Sequence, residues 1–186
     1  MWWLLALLPW LLWLRSRQRT EVQVVQLRAG SRGTTVLFPG LYMSPKTMLH
    51  LAPAGHRVLG VRLAPGEDFN LADAARRVRL PCVPDRFVAF SMGAVLAMRV
   101  RGALEVAPYT VLYAPAGHTS GGAVETLLRA VLSAPLLGAL LFPRALRQYP
   151  TYGHRAAVRA DEIHLGERDC VHPGDRDWEN ARVVAK

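Results

Sequence analysis

Residues 89–93 read Ala-Phe-Ser-Met-Gly, a serine flanked on both sides, one position removed, by a small residue. This is the G-x-S-x-G pattern with Ala at its first position. It sits where the apolar run Arg86–Phe90 gives way to the small-residue segment Met92–Leu104. A serine on so tight a strand-to-helix turn presents its Oγ as a nucleophile, and bulk at position 89 or 93 would clash where strand and helix meet. The helix N-terminus beneath Ser91 favours negative charge developing at the site. A serine that merely caps the helix is the competing reading.

Two further segments fit the same chemistry. Acyl transfer needs two backbone N–H groups aimed at the oxyanion. Met92, the residue after the nucleophile, supplies one. Leu41 is placed to supply the other, because TTVLFPGLYMSP (34–45) reads as a strand running into the Phe38-Pro39-Gly40 turn just before it. The alternative there is an ordinary strand-ending Pro-Gly turn. In DEIHLGERDCVHP (161–173) a strand passes into Gly166-Glu167-Arg168-Asp169, and a carboxylate after a late strand is where a Ser–His–acid site takes its orienting acid.

Other constellations are poorer. His164, Asp169 and His172 lack the further ligands and spacing of a zinc site, so no metal and no cofactor is expected. Cys82 lies in a proline-flanked turn away from the elbow, and Cys170 adjoins Asp169 as a free thiol. Two cysteines also exclude a disulfide-stapled scaffold.

These residues need a scaffold, and the alternation of apolar runs provides one. Strands are expected at Glu21–Arg28, Thr34–Phe38, Arg57–Leu63, Arg86–Phe90, Tyr109–Tyr113, Glu162–Leu165 and Ala181–Ala185. Between the third and fourth, Asn70 reads as an N-cap with Asp73 three residues on, and Leu71, Ala74, Ala75 and Val78 share one face. Strand and helix alternating in this way imply an α/β fold, a mostly parallel sheet of about seven strands flanked by helices. The segment Ala123–Phe142 departs from the rhythm: long, very apolar and broken by Pro135, it predicts two short amphipathic helices inserted after the fifth strand.

FPGLY, AFSMG and HLGERDCVHP, in this order, resemble the oxyanion loop, nucleophile elbow and acid turn of the α/β-hydrolase superfamily. The resemblance runs from about Glu21 to Lys186, and the membrane-anchored lipase- and esterase-like serine hydrolases are nearest in character. It implies Ser91 as nucleophile, Asp169 as acid, Leu41 and Met92 as oxyanion donors, and a helical cap at about 118–155. The family's histidine follows the last strand. Here ARVVAK (181–186) reads as that strand and no histidine comes after it in this sequence. His118, after the fifth strand, and His172, in the loop of Asp169, are the candidates to substitute. A truncated enzyme, or a non-catalytic hydrolase-like module binding a lipid or a protein, are the alternatives this leaves.

The N-terminus carries a different signal. Residues 1–14, MWWLLALLPWLLWL, are uncharged, hold four of the five tryptophans, and are followed by Arg15, Arg17 and Arg19. Fourteen helical residues reach only ~21 Å against a ~30 Å hydrocarbon core, and indoles favour the headgroup region. A secretory signal would carry its charge ahead of the apolar run. Residues 1–20 are therefore expected to anchor the protein to a membrane, spanning marginally or lying in the interface, with residues 21–186 forming one cytoplasmic domain. At 186 residues, 51% hydrophobic and 20% charged, the chain has ample means to build a core. The net charge of +9 invites a nucleic-acid partner, but 21 of the 23 basic residues are Arg, a mark of GC-rich codons. Arginines 76, 77, 79, 99, 101, 144, 147, 155 and 159 are also scattered without aromatic interleaving, so no nucleic acid is expected. The expected partners are a lipophilic acyl substrate and the membrane; oligomeric state is not legible.

Overall fold

In the computed structural model, residues 19–113, 130–131, 160–165 and 182–185 are described. Seven strands form one sheet: β1 (Glu21–Arg28), β2 (Thr34–Phe38), β3 (Arg57–Ala64), β4 (Arg86–Phe90), β5 (Tyr109–Tyr113), β6 (Glu162–Leu165) and β7 (Arg182–Ala185). Their order across the sheet is β1-β3-β2-β4-β5-β6-β7. All neighbours pair in parallel except β1, which runs antiparallel to β3 at the edge. The expected α/β class, mostly parallel sheet and strand positions are all found.

The central strands are apolar runs because helical elements cover both faces. On one face Val36, Phe38, Leu59, Val61, Phe87, Ala89, Leu112 and Ile163 pack with helices α1 (Leu71–Arg77) and α2 (Met92–Arg101). Phe38 and Phe87 meet edge to face there, 4.8 Å between centroids. On the other face Leu37, Val58 and Val88 pack with Met48 and Ala52, in and just after a 3₁₀ helix at Pro45–Leu51. Edge strand β1 instead alternates exposed and half-buried residues over much of its length.

α1 begins as its sequence predicts: Asn70 Oδ1 accepts from the N–H groups of Ala72 and Asp73 at 2.9 and 3.2 Å. Leu71, Ala74 and Val78 are buried, while Ala75 is only half-buried. α2 stops three residues short of the expected Leu104. Gly102 caps it in a right-handed conformation, its N–H donating to Met98 O at 3.0 Å. The expected cap at 118–155 falls almost wholly outside the described residues. So do residues 1–18 of the expected anchor. Among the described residues, no helix is long and apolar enough to cross a membrane.

Candidate active site

Ser91 joins the carboxyl end of β4 to the start of α2 with φ +51° and ψ −122°. That region is sparsely populated for a residue with a side chain, and occupying it costs on the order of 1–3 kcal/mol. The serine stands at the N-cap position, yet its side chain makes no capping hydrogen bond. Capping therefore does not account for its presence. Its backbone is fixed instead: Ser91 N–H donates to Tyr113 O at 3.0 Å and Ser91 O accepts from Ala94 N–H at 3.0 Å. The residue is half-buried at the carboxyl edge of the parallel strands.

The small residues around Ser91 have a steric cause. A Cβ on Gly93 would lie 2.2 Å from Phe38 O and 2.3 Å from Pro39 O, so α2 approaches the end of β2 as only glycine allows. Ala89 is fully buried. Across from the elbow, a Cβ on Gly40 would lie 3.4 Å from Ser91 Cβ and 3.1 Å from Phe90 Cδ1. The Phe38-Pro39-Gly40 turn thus packs directly against the serine.

That turn continues into a second one, closed by Met43 N–H donating to Gly40 O at 3.1 Å. Tyr42 occupies its third position with φ +61° while Leu41 does not enter the positive region, the pattern of a type II turn. Tyr42 and Ser91 are the two non-glycine residues of positive φ among the described residues, and both lie at this edge. The sequence pointed to a turn at Pro-Gly but gave no sign of Tyr42, since glycine or asparagine is the usual mark of such a position.

The structure brings Leu41 and Met92 to the segments that meet at Ser91. Met92 opens α2, where the first N–H groups have no intrahelical acceptor. Leu41 follows Gly40 and packs against the α1–α2 side of the core. Asp169, His118 and His172 lie outside the described residues, as does Cys170. Cys82 is half-buried, its Sγ 3.8 Å from Thr34 Oγ1 at the opposite, amino edge of the sheet.

One polar cluster escaped the sequence reading. Phe90, Tyr113 and His164 stand in one row across β4, β5 and β6. His164 stacks on Tyr113, 4.5 Å between centroids and 18° between planes. Its Nε2 lies 3.1 Å from Glu162 Oε2, and its Nδ1 is buried without a partner among the described residues. Glu162 also accepts from the Tyr109 hydroxyl. The bonds from Tyr109 and then His164 hold the Glu162 carboxyl below its ordinary range. The same bond to Glu162 raises the Tyr109 phenol, and burial raises that of Tyr113. Alternation of Glu162 and His164 along one face of β6 was the available signal, but short strands give no hint of their cross-strand partners. His164 is thus engaged by Glu162, and the other two members of the weak metal grouping lie outside the described residues.

No protein-family model matches the chain, and no curated protein matches it either. Solved structures do. The monoacylglycerol lipase of Paleococcus ferrophilus superposes with a TM-score of 0.61 at 15% identity, covering 89% of this chain and 88% of the lipase. An alpha/beta hydrolase from Sphaerobacter thermophilus gives 0.57 at 12% identity over 91% and 90% of the two chains. A type II thioesterase of the yersiniabactin biosynthetic pathway gives 0.55 at 14% identity over 88% of each. With its strand order, antiparallel edge strand and strained serine between β4 and α2, this chain has the α/β-hydrolase fold.

Proposed function

We propose that the protein is a membrane-associated serine hydrolase that cleaves a lipophilic carboxylic ester or thioester through an acyl-enzyme on Ser91. The observation that carries this reading is the backbone of Ser91, strained at φ +51° without a capping bond to reward it. Strain of that kind persists where presentation of the side chain matters.

In the proposed reaction Ser91 Oγ attacks the acyl carbonyl while a base takes its proton. The N–H groups of Leu41 and Met92 hold the oxyanion, aided by the positive end of α2. Collapse of the tetrahedral intermediate expels an alcohol or thiol, which takes the proton back. Water then releases the acid by the same steps. Asp169 orients the base, and His118 and His172 are the candidates for it in this sequence. Similarity of fold to a lipase and a thioesterase supports the substrate class. The apolar segment 1–14 and the arginines behind it support membrane association.

Turnover of medium-chain p-nitrophenyl esters and acyl thioesters by the full chain tests the reading. Wild type is expected to hydrolyse them and Ser91→Ala to lose at least about 10³-fold in kcat/KM. Loss on His118→Ala or on His172→Ala, but not both, identifies the base. Equal rates for wild type and Ser91→Ala would overturn the nucleophile. No turnover, together with saturable lipid binding, would favour a non-catalytic binding module instead.

A further inference from the structure

The strand register fixes where the N-terminal segment leaves the domain. Val88, Leu37, Gly60 and Val25 stand in one row across β4, β2, β3 and β1. Ser91 lies three residues beyond that row toward the carboxyl edge of the parallel strands. Because β1 is antiparallel, its N-terminal end climbs toward the same edge, where Glu21 pairs with Ala64 at the end of β3. Thr20 is then locked in place. Its N–H donates to Asp68 Oδ1 at 2.6 Å, its Oγ1 accepts from Gly66 N–H at 3.1 Å, and its carbonyl accepts from Arg77 Nη1 at 3.0 Å. Three strand spacings separate β1 from β4, so Thr20 stands about 14 Å to the side of Ser91, at the same edge.

Only Arg15–Arg19 lie between the apolar run and Thr20. The six Cα steps from Leu14 to Thr20 span at most ~21 Å when fully extended. To turn the opposite edge of the sheet toward the apolar run, those residues would first have to travel back along β1, eight residues and ~27 Å. They are too short. Exposed apolar side chains stand at both edges, Tyr42 (58%) and Met43 (37%) at the near one and Val83 (71%) and Val106 (65%) at the far one, so the reach of residues 15–19, not apolar exposure, decides the orientation.

We infer that residues 1–14 hold the carboxyl edge of the sheet, and Ser91 with it, against the bilayer surface, so that the substrate is an acyl lipid resident in that membrane. This rests on the proposed membrane association and hydrolase activity and adds an orientation to them. Tyr42 and Met43 meet the headgroup region, and the ester is approached from the bilayer.

Reporter cysteines on the full-length chain test it, in a Cys82→Ala/Cys170→Ala background. Bimane is attached at Tyr42→Cys on the near edge or at Val106→Cys, 65% exposed in the native chain and just before β5 on the far edge. Met43→Cys, 37% exposed in the same turn, repeats the near-edge reading should Tyr42→Cys not fold. The vesicles are phosphatidylcholine and phosphatidylserine with a headgroup-nitroxide lipid. The near-edge bimane is expected to be quenched several-fold more than that at 106. Equal or reversed quenching, or none at either position, overturns the orientation. Fluorophosphonate labelling of the same samples reads the hydrolase proposal separately: an unlabelled Ser91 with a quenched near edge supports the orientation while removing the acyl-enzyme.

Discussion

Ser91 combines two properties that pull against each other: the proposed reaction requires a serine there, and its backbone favours glycine. Ser91→Gly is therefore expected to raise stability by about 1 kcal/mol while abolishing turnover. Ser91→Ala keeps the strained φ and is expected to leave stability nearly unchanged. Urea unfolding of the three proteins measures both. The Glu162 cluster makes a second prediction at this scale. Its carboxyl is held below the ordinary value by Tyr109 and His164, so it adds stability above that value and the contribution disappears as pH falls through the folded-state pKa. Wild type and Glu162→Gln should thus differ in denaturation midpoint at neutral pH and converge as pH falls below the ordinary carboxylate range. Tyr109 is shifted the other way; its contribution is present below its ordinary pKa and lost as pH rises through the higher folded value. A midpoint difference that does not shrink as the carboxyl is protonated would remove Glu162 from the account. Serine 91 itself was legible in the sequence, because small neighbours at 89 and 93 report a steric demand that the fold then shows. Tyr42 was not, since a tyrosine at positive φ is imposed by tertiary packing against residue type.

At the scale of elements, the site depends on how closely α2 meets the end of β2. Gly93→Ala would drive a methyl into the Phe38 and Pro39 carbonyls, backbone that cannot step aside. A loss of about 3 kcal/mol is expected. Gly40→Ala meets only Met43 Sδ at 3.0 Å and the Phe90 and Ser91 side chains, and should cost about 1 kcal/mol. Similar unfolding midpoints for the two variants would contradict the close approach. The elements themselves were readable where physics is local: VLF (36–38), FVAF (87–90) and VLY (111–113) are apolar runs because both faces are covered, and Asn70 announces α1 by its side-chain oxygen. The 3₁₀ helix at Pro45–Leu51 went unread. Its irregular turns lack a helical period, although Ser44 accepts from Lys46 N–H at its start and Pro45 suits a first turn.

Across the whole molecule, alternation of strand and helix announced a parallel sheet but not the direction of β1, which is set by pairing with β3 rather than by any residue of its own. That direction brings Thr20 to the edge that carries Ser91. It also makes the site a product of the assembled sheet. The proposed nucleophile comes from the β4–α2 junction, the turn against it from β2, and the acceptor for its N–H from β5. Reactivity of the serine is accordingly a property of the folded chain, expected to vanish on heating. The most direct test is mass spectrometry of the native protein after treatment with a fluorophosphonate, followed by trypsin. One adduct per chain is predicted, on the peptide spanning residues 87–99 and absent in Ser91→Ala; an adduct that persists in Ser91→Ala, or none in the folded wild type, would contradict Ser91 as the nucleophile.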